Sequence, residues 1–304
     1  MIKPLTWTAD QSKVTLGALR AIATSCGTVD MSSAEKELID GVRINIFDHP
    51  EITDAEENVH VQGDDLAAVL QDPEHKSRAA QLIALMPYAA RPYDNDKLHT
   101  SERFIEAIGE TMFEMEDFLG ARAKHSKTME YCMLRKMGPQ IFTNTDPDFV
   151  HAEMVKLLND AEGNAEELER YKSLAGYPAG SLGKAYFDFY AKFGWPLPGD
   201  PKWISEDITV RHDLIHVLCD YDITIDGEFC VSGFTAGNSE KFDWMIAMLG
   251  FTPPYVSTGE QYSPGDFTKA YARGKTATHS FVDEWDFWPR MMHPMEDLRT
   301  EYGI

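Results

Sequence analysis

Arg211-His212-Asp213-Leu214-Ile215-His216-Val217-Leu218 is the stretch on which the reading of this chain turns. Placed on a helix at ~100° per residue, with His212 at zero, His216 falls near ~40° and Asp213 near ~100°. Leu214, Ile215 and Leu218 take the opposite side, at roughly 200° to 300°. One face is apolar, and the other carries two imidazoles and a carboxylate. A helix of that kind belongs inside a bundle of helices, where facing side chains build metal sites. Gly227-Glu228 follows, with Glu228 twelve residues beyond His216. The stretch from Cys219 to Asp226 is long enough to turn the chain and return that carboxylate from the next helix.

The pattern outside this stretch is also helical. Asp10 reads as the cap of a helix running to about Ser25 and stopped by Gly27. Ser32 with Glu35 forms a capping-box signature for a helix through Phe47, ended by Asp48-His49-Pro50. Asp64 or Asp65 opens a short helix ended by Asp72-Pro73. Further helices are predicted over Glu74–Met86, Ser101–Phe118 and Ala121–Met137, the last closed by Gly138-Pro139. No run of alternating strands interrupts them, so the expected fold class is all-α. Gly138 to Ala165 is punctuated by Gly138-Pro139, Asn144-Thr145-Asp146-Pro147 and Glu162-Gly163-Asn164. Two helical domains are therefore expected, over residues 1–140 and 163–304, with a linker over 141–162.

Composition narrows the function. The chain has 304 residues, of which 43% are apolar, enough for a sizeable core. Its net charge of −22 excludes nucleic acid as a partner, because phosphate binding needs clustered Lys and Arg. No stretch approaches the ~18 apolar residues of a membrane span. Met1 to Lys13 has neither the apolar core of a signal peptide nor the Arg-rich character of a transit peptide. The four cysteines, Cys26, Cys132, Cys219 and Cys230, show no CxxC spacing and read as free thiols. A cytoplasmic protein is expected, with peripheral membrane contact and homo-oligomerisation left open.

Read as chemistry, His212, Asp213, His216 and Glu228 offer two imidazoles and two carboxylates. That donor set suits zinc, iron or manganese better than a copper thiolate site or an all-oxygen calcium cage. It differs from the metalloprotease HExxH helix, whose Glu acts as general base. Arg211 reads either as a partner for a substrate carboxylate or as a surface residue. Phe234, Phe242, Trp244, Met245, Met248, Leu249 and Phe251 read either as core or as the lining of a tunnel for an isoprenoid tail. Phe281, Trp285, Phe287, Trp288, Met291 and Met292 read either as core or as a membrane contact.

The His212-Asp213-xx-His216 and Glu228 pattern resembles the HDxxH…E signature of the coenzyme Q (ubiquinone) biosynthesis protein four family. Leu174-Ala175-Gly176-Tyr177 through Gly180-Ser181-Leu182-Gly183 to Tyr186 resembles a second stretch of that family. Ala270 to Lys275, Trp285 and Pro294 to Ile304 resemble its C-terminus. The resemblance covers about residues 163–304. It implies an all-α fold and a divalent metal, usually taken as zinc, with His212, Asp213, His216 and Glu228 as ligands. It also implies a role in ubiquinone biosynthesis: presenting a prenylated precursor to the other enzymes of quinone biosynthesis, or removing the C1 carboxyl of its aromatic head group oxidatively. Where the family has Gly, eight residues after the first His, this chain has Asp220. A continuing helix would place Asp220 near roughly 80°, in the metal sector. It is read there as a ligand, a hydrogen-bond acceptor for His216, a general base, or a helix-end residue.

Residues 10–137 carry a fainter resemblance to the TerB-like helical domain. Leu19 to Ala23, Asp30 and Glu35 to Ile39 are echoed by Leu82 to Met86, Asp94 and Ser101 to Ile105. In that family loop acids bind metal. Asp30, Glu35 and Asp94 otherwise read as caps and solvated loop residues.

Overall fold

The structure is a computed structural model, and it describes residues 5–53, 61–89, 94–110, 163–201, 206–239, 263–281 and 285–304. Eleven α-helices and no strands occur among these residues, so the fold is all-α. They are α1 Ala9–Ala23, α2 Ser33–Gly41, α3 Gly63–Val69, α4 Pro73–Leu85, α5 Asn95–Ala107, α6 Ala165–Ser173, α7 Leu182–Phe193, α8 Glu206–Cys219, α9 Ile225–Asn238, α10 Pro264–Thr276 and α11 Met295–Tyr302.

Local chemistry sets most of the starts. Ser32 and Glu35 form the expected capping box, with Glu35 N–H donating to Ser32 Oγ at 3.2 Å and Ser32 N–H to Glu35 Oε2 at 2.8 Å. Asp72 caps α4, with Pro73 at its first position, and Asp94 caps α5. Three starts differ from expectation. Helix α3 begins at Gly63 with Gln62 at its cap, so Asp64 and Asp65 lie in its first turn. Helix α1 is capped by Thr8 in a capping box with Gln11, so Asp10 lies in its first turn. Helix α5 begins at Asn95 instead of Ser101, because Asp94 is the cap that is used. Glu35 also pairs with Lys97 of α5. Of the three loop acids, Glu35 and Asp94 take part in caps and Asp30 is exposed. The helix predicted over Ala121–Met137 and the linker over 141–162 lie outside the described residues.

Two apolar clusters form the interior. One gathers Leu16, Leu19, Ile22, Leu38, Leu66, Leu82, Ile83 and Phe104 from the first five helices. Phe229 and Ala236 of α9 and Phe267 and Tyr271 of α10 complete the same cluster. The second gathers Tyr171, Leu182, Tyr186, Tyr190, Leu214, Ile215, Leu218, Phe234, Phe281, Trp285, Met291 and Leu298. Helices α9 and α10 thus serve both. They approach each other closely because Gly233 and Gly237 on one and Gly274 on the other leave no side chain between the backbones. A methyl group at any of the three would overlap a carbonyl oxygen of the facing helix. Polar contacts cross between the halves as well. The Arg78 guanidinium donates to the buried Tyr271 hydroxyl, and Asn45 Nδ2 donates to Thr268 Oγ1 at 3.2 Å.

Phe234, Phe281, Trp285, Phe287 and Met291 are buried core residues, and Met292 is 59% exposed. Phe242, Trp244, Met245, Met248, Leu249 and Phe251 lie outside the described residues. Cys26, Cys219 and Cys230 are free thiols. No helix among the described residues is long and apolar enough to cross a membrane.

Candidate metal centre

Helix α8 is built as the sequence suggests on its apolar side, where Leu214, Ile215 and Leu218 are buried in the second cluster. The chain then turns and re-enters a helix at α9. Thr224 caps that helix by accepting from Gly227 N–H, which puts Glu228 in its first turn, at the positive end of the helix dipole. Gly227 is required there by space, since a Cβ would overlap the carbonyl of Asp222.

These two helices bring His212, His216 and Glu228 together. One donor atom from each lies within 4.8 Å of the other two. His212 Nε2 is 3.1 Å from Glu228 Oε2 and 3.1 Å from His216 Nε2, and His216 Nε2 is 3.4 Å from Glu228 Oε1. The His216 side chain is 1% exposed, whereas Glu228 is 24% and His212 40% exposed, so the cluster has a buried floor and an open side. His216 Nδ1 faces the carbonyl oxygen of Tyr221 at 3.1 Å. A carbonyl only accepts, so Nδ1 carries a hydrogen, and Nε2 faces the cluster as the atom that would bind a metal. Phe189 stacks on the same ring at 5.8 Å and 24°.

Charge is concentrated here. Burial opposes ionisation of Glu228, but hydrogen bonds from His212 and His216 outweigh it and hold its carboxyl far below the usual range. Burial likewise opposes a charged His212, and the hydrogen bond and charge of Glu228 outweigh it and raise its pKa. Two imidazoles and a carboxylate crowded at these distances make a donor set that fits a borderline divalent ion such as zinc.

Asp213 lies beside the cluster and is held by another helix. It is buried, its carboxylate accepts from the Tyr190 hydroxyl of α7, and it is not among the converging donor atoms. Burial raises its pKa. Asp220 lies just past the end of α8 with φ of 58°, and its Oδ1 is 2.7 Å from Arg299 Nη2 with the side chain 75% exposed. The helix ends at Cys219, so the extension that would carry Asp220 into the metal sector does not occur. Arg211 is half-buried, and its Nη2 donates to Trp285 O at 3.4 Å. Sequence reasoning missed Tyr190, the Tyr221 carbonyl and Phe189. The tyrosine-rich run of α7 was the only available signal for Tyr190, and a backbone carbonyl leaves none.

The stretch from Leu174 to Tyr186 anchors α7 to the C-terminal segment. Ser181 caps α7, Gly183 N–H donates to Met291 O at 2.7 Å and Leu182 N–H to His293 O at 3.0 Å. This pins α7, and with it Tyr190 and Phe189, beside the C-terminal segment.

The fold and site define an all-helical protein with a His/His/Glu cluster on two successive helices. Comparison with protein-family models, curated proteins and solved structures finds no match for this chain.

Proposed function

We propose that this chain is a metal-binding protein of ubiquinone or related prenyl-quinone biosynthesis, acting on or presenting the carboxylated aromatic head group. The convergence of His212, His216 and Glu228 is the observation that carries the metal reading. The HDxxH…E pattern, with the flanking stretches at 174–186 and 270–304, supports the quinone reading. Zinc is the ion proposed first, with iron and manganese as alternatives. Among the described residues three donors converge, one fewer than a closed structural zinc site uses.

A bound ion would supply Lewis-acid polarisation of a head-group oxygen. The chain itself supplies the rest. Tyr221 orients His216, and Phe189 shields one face of its ring. The open side lies at His212 and Glu228. Tyr190 holds the Asp213 carboxylate, so Asp213 is not poised as the general base of an HExxH peptidase would be.

The test begins with elemental analysis of protein purified without added metal. The protein is then assayed for loss of the head-group carboxyl from a prenylated hydroxybenzoate, with zinc, iron or manganese, in the presence of dioxygen. Carboxyl loss that disappears in His212→Ala and Glu228→Ala supports the proposal. No turnover with any of the three ions counts against catalysis. A His212→Ala protein that loses metal while cells keep making quinone would leave a scaffold role.

A further inference from the structure

The C-terminal end of α8 is held by two arginines distant from it in sequence. Arg299 of α11 donates Nε to Leu218 O at 2.8 Å and Nη2 to Val217 O at 3.3 Å. Arg273 of α10 donates Nη1 to Cys219 O at 2.8 Å, and its guanidinium lies 5.5 Å from the centre of the Tyr221 ring. The last carbonyls of a helix have no partner within it, and they sit at its negative end. Two cations from different helices therefore satisfy three of them at once.

The turn that follows decides the chemistry of His216. Asp220 adopts the left-handed conformation, and Tyr221 N–H donates back to His216 O at 3.1 Å. That is the six-to-one bond of a Schellman helix end. It swings the Tyr221 carbonyl against His216 Nδ1. If the turn opened, Nδ1 would lose its acceptor, and nothing in the turn would then dictate which ring nitrogen carries the hydrogen.

We propose that Arg273 and Arg299 are positioning residues for the metal cluster. By clamping the end of α8 they keep the Tyr221 carbonyl on His216 Nδ1 and the Nε2 atom toward His212 and Glu228. The inference rests on the metal reading above. Partners that orient a metal-bound histidine are worth about 10- to 100-fold in affinity.

The experiment uses the full chain and two readouts. Histidine nitrogen NMR of the metal-free protein reports the His216 tautomer, and titration with zinc alone reports affinity. Wild type is expected to show hydrogen on Nδ1. Arg299→Gln and Arg273→Gln are expected to lose that preference and to bind zinc about 10- to 100-fold more weakly. Arg290→Gln, which removes a surface pair with Glu301, is expected to change neither. If a Gln variant fails to fold, Arg299→Lys keeps the charge without the fork across two carbonyls, and the same tautomer change is expected. An unchanged tautomer in the folded arginine variants overturns the inference, as does unchanged zinc affinity. A wild type that takes up no zinc overturns the metal reading instead, while the tautomer measurement still decides whether the arginines set His216.

Discussion

Arg299 Nη2 lies 2.7 Å from Asp220 Oδ1, at the outer edge of the turn that ends α8. The pair gives the Asp220 carboxylate a partner at a position whose backbone suits glycine. The backbone at residue 220 is left-handed, with φ of 58°, which glycine adopts freely and aspartate tolerates.

Asp220→Gly is expected to change unfolding free energy by less than about 1 kcal/mol. Relief of the left-handed strain offsets the loss of an exposed ion pair. Asp220→Val is expected to lose about 1–2 kcal/mol, since a β-branched residue is a true outlier there. Urea denaturation measures both. Loss of zinc binding in Asp220→Gly would return Asp220 to the site.

Gly237→Ala is expected to destabilise by about 1–3 kcal/mol, because the added methyl overlaps the Tyr271 carbonyl and must push α9 from α10. Gly176→Ala, which meets nothing within 4 Å, is the matched control and is expected to be neutral or slightly stabilising. Equal melting temperatures for the two would contradict the close approach of these helices.

Residues 1–140 expressed alone are expected not to form a native core. Phe229, Ala236, Phe267 and Tyr271 fill the interior of the first five helices, and the Arg78 guanidinium would lose the Tyr271 hydroxyl. The isolated segment should bind a hydrophobic dye and lack a cooperative thermal transition. A sharp two-state transition would show that these four residues are dispensable.

Much of this was legible because it is local. The Ser32–Glu35 box and the approach of His212 to His216 depend on residues within four positions of each other. The arrival of Glu228 was legible because the chain between it and His216 had room for only a short turn. Asp213 shows where the pattern stops. The ~100° offset puts it near the histidines, yet that angle also faces α7, and only packing decides that Tyr190 takes the carboxylate. Arg273 and Arg299 were invisible because their acceptors are backbone carbonyls, which every residue carries.

Tyr190→Phe is expected to cost about 1–3 kcal/mol, the penalty for stripping a donor from a buried acceptor. The ring packs against Tyr186 and Trp195, and Phe keeps that packing, so the loss reports the hydroxyl's polar contacts, with Asp213 and Tyr186. Chemical denaturation measures it. No loss of stability would mean that the hydroxyl bond is not what holds the carboxylate.

His49 gives the fold a pH dependence of defined sign. Its Nε2 faces Trp7 O at 2.9 Å and its Nδ1 faces Glu51 Oε1 at 2.7 Å, so both nitrogens meet acceptors and the doubly protonated ring suits both. The Trp7 carbonyl first, and Glu51 second, raise its pKa above the ordinary value. The folded state therefore binds the proton more tightly than the unfolded chain. The resulting stabilisation is fully present below the unfolded pKa and is lost as pH rises through the folded one. In acid it is bounded by protonation of Glu51, whose pKa His49 lowers. His49→Gln keeps a neutral donor for Trp7 O but cannot titrate. The stability difference between wild type and His49→Gln, measured by denaturation from pH 5.5 to 8.5, is expected to be largest near the acid end and to shrink above neutrality. A difference that is flat or grows with pH would contradict the assignment.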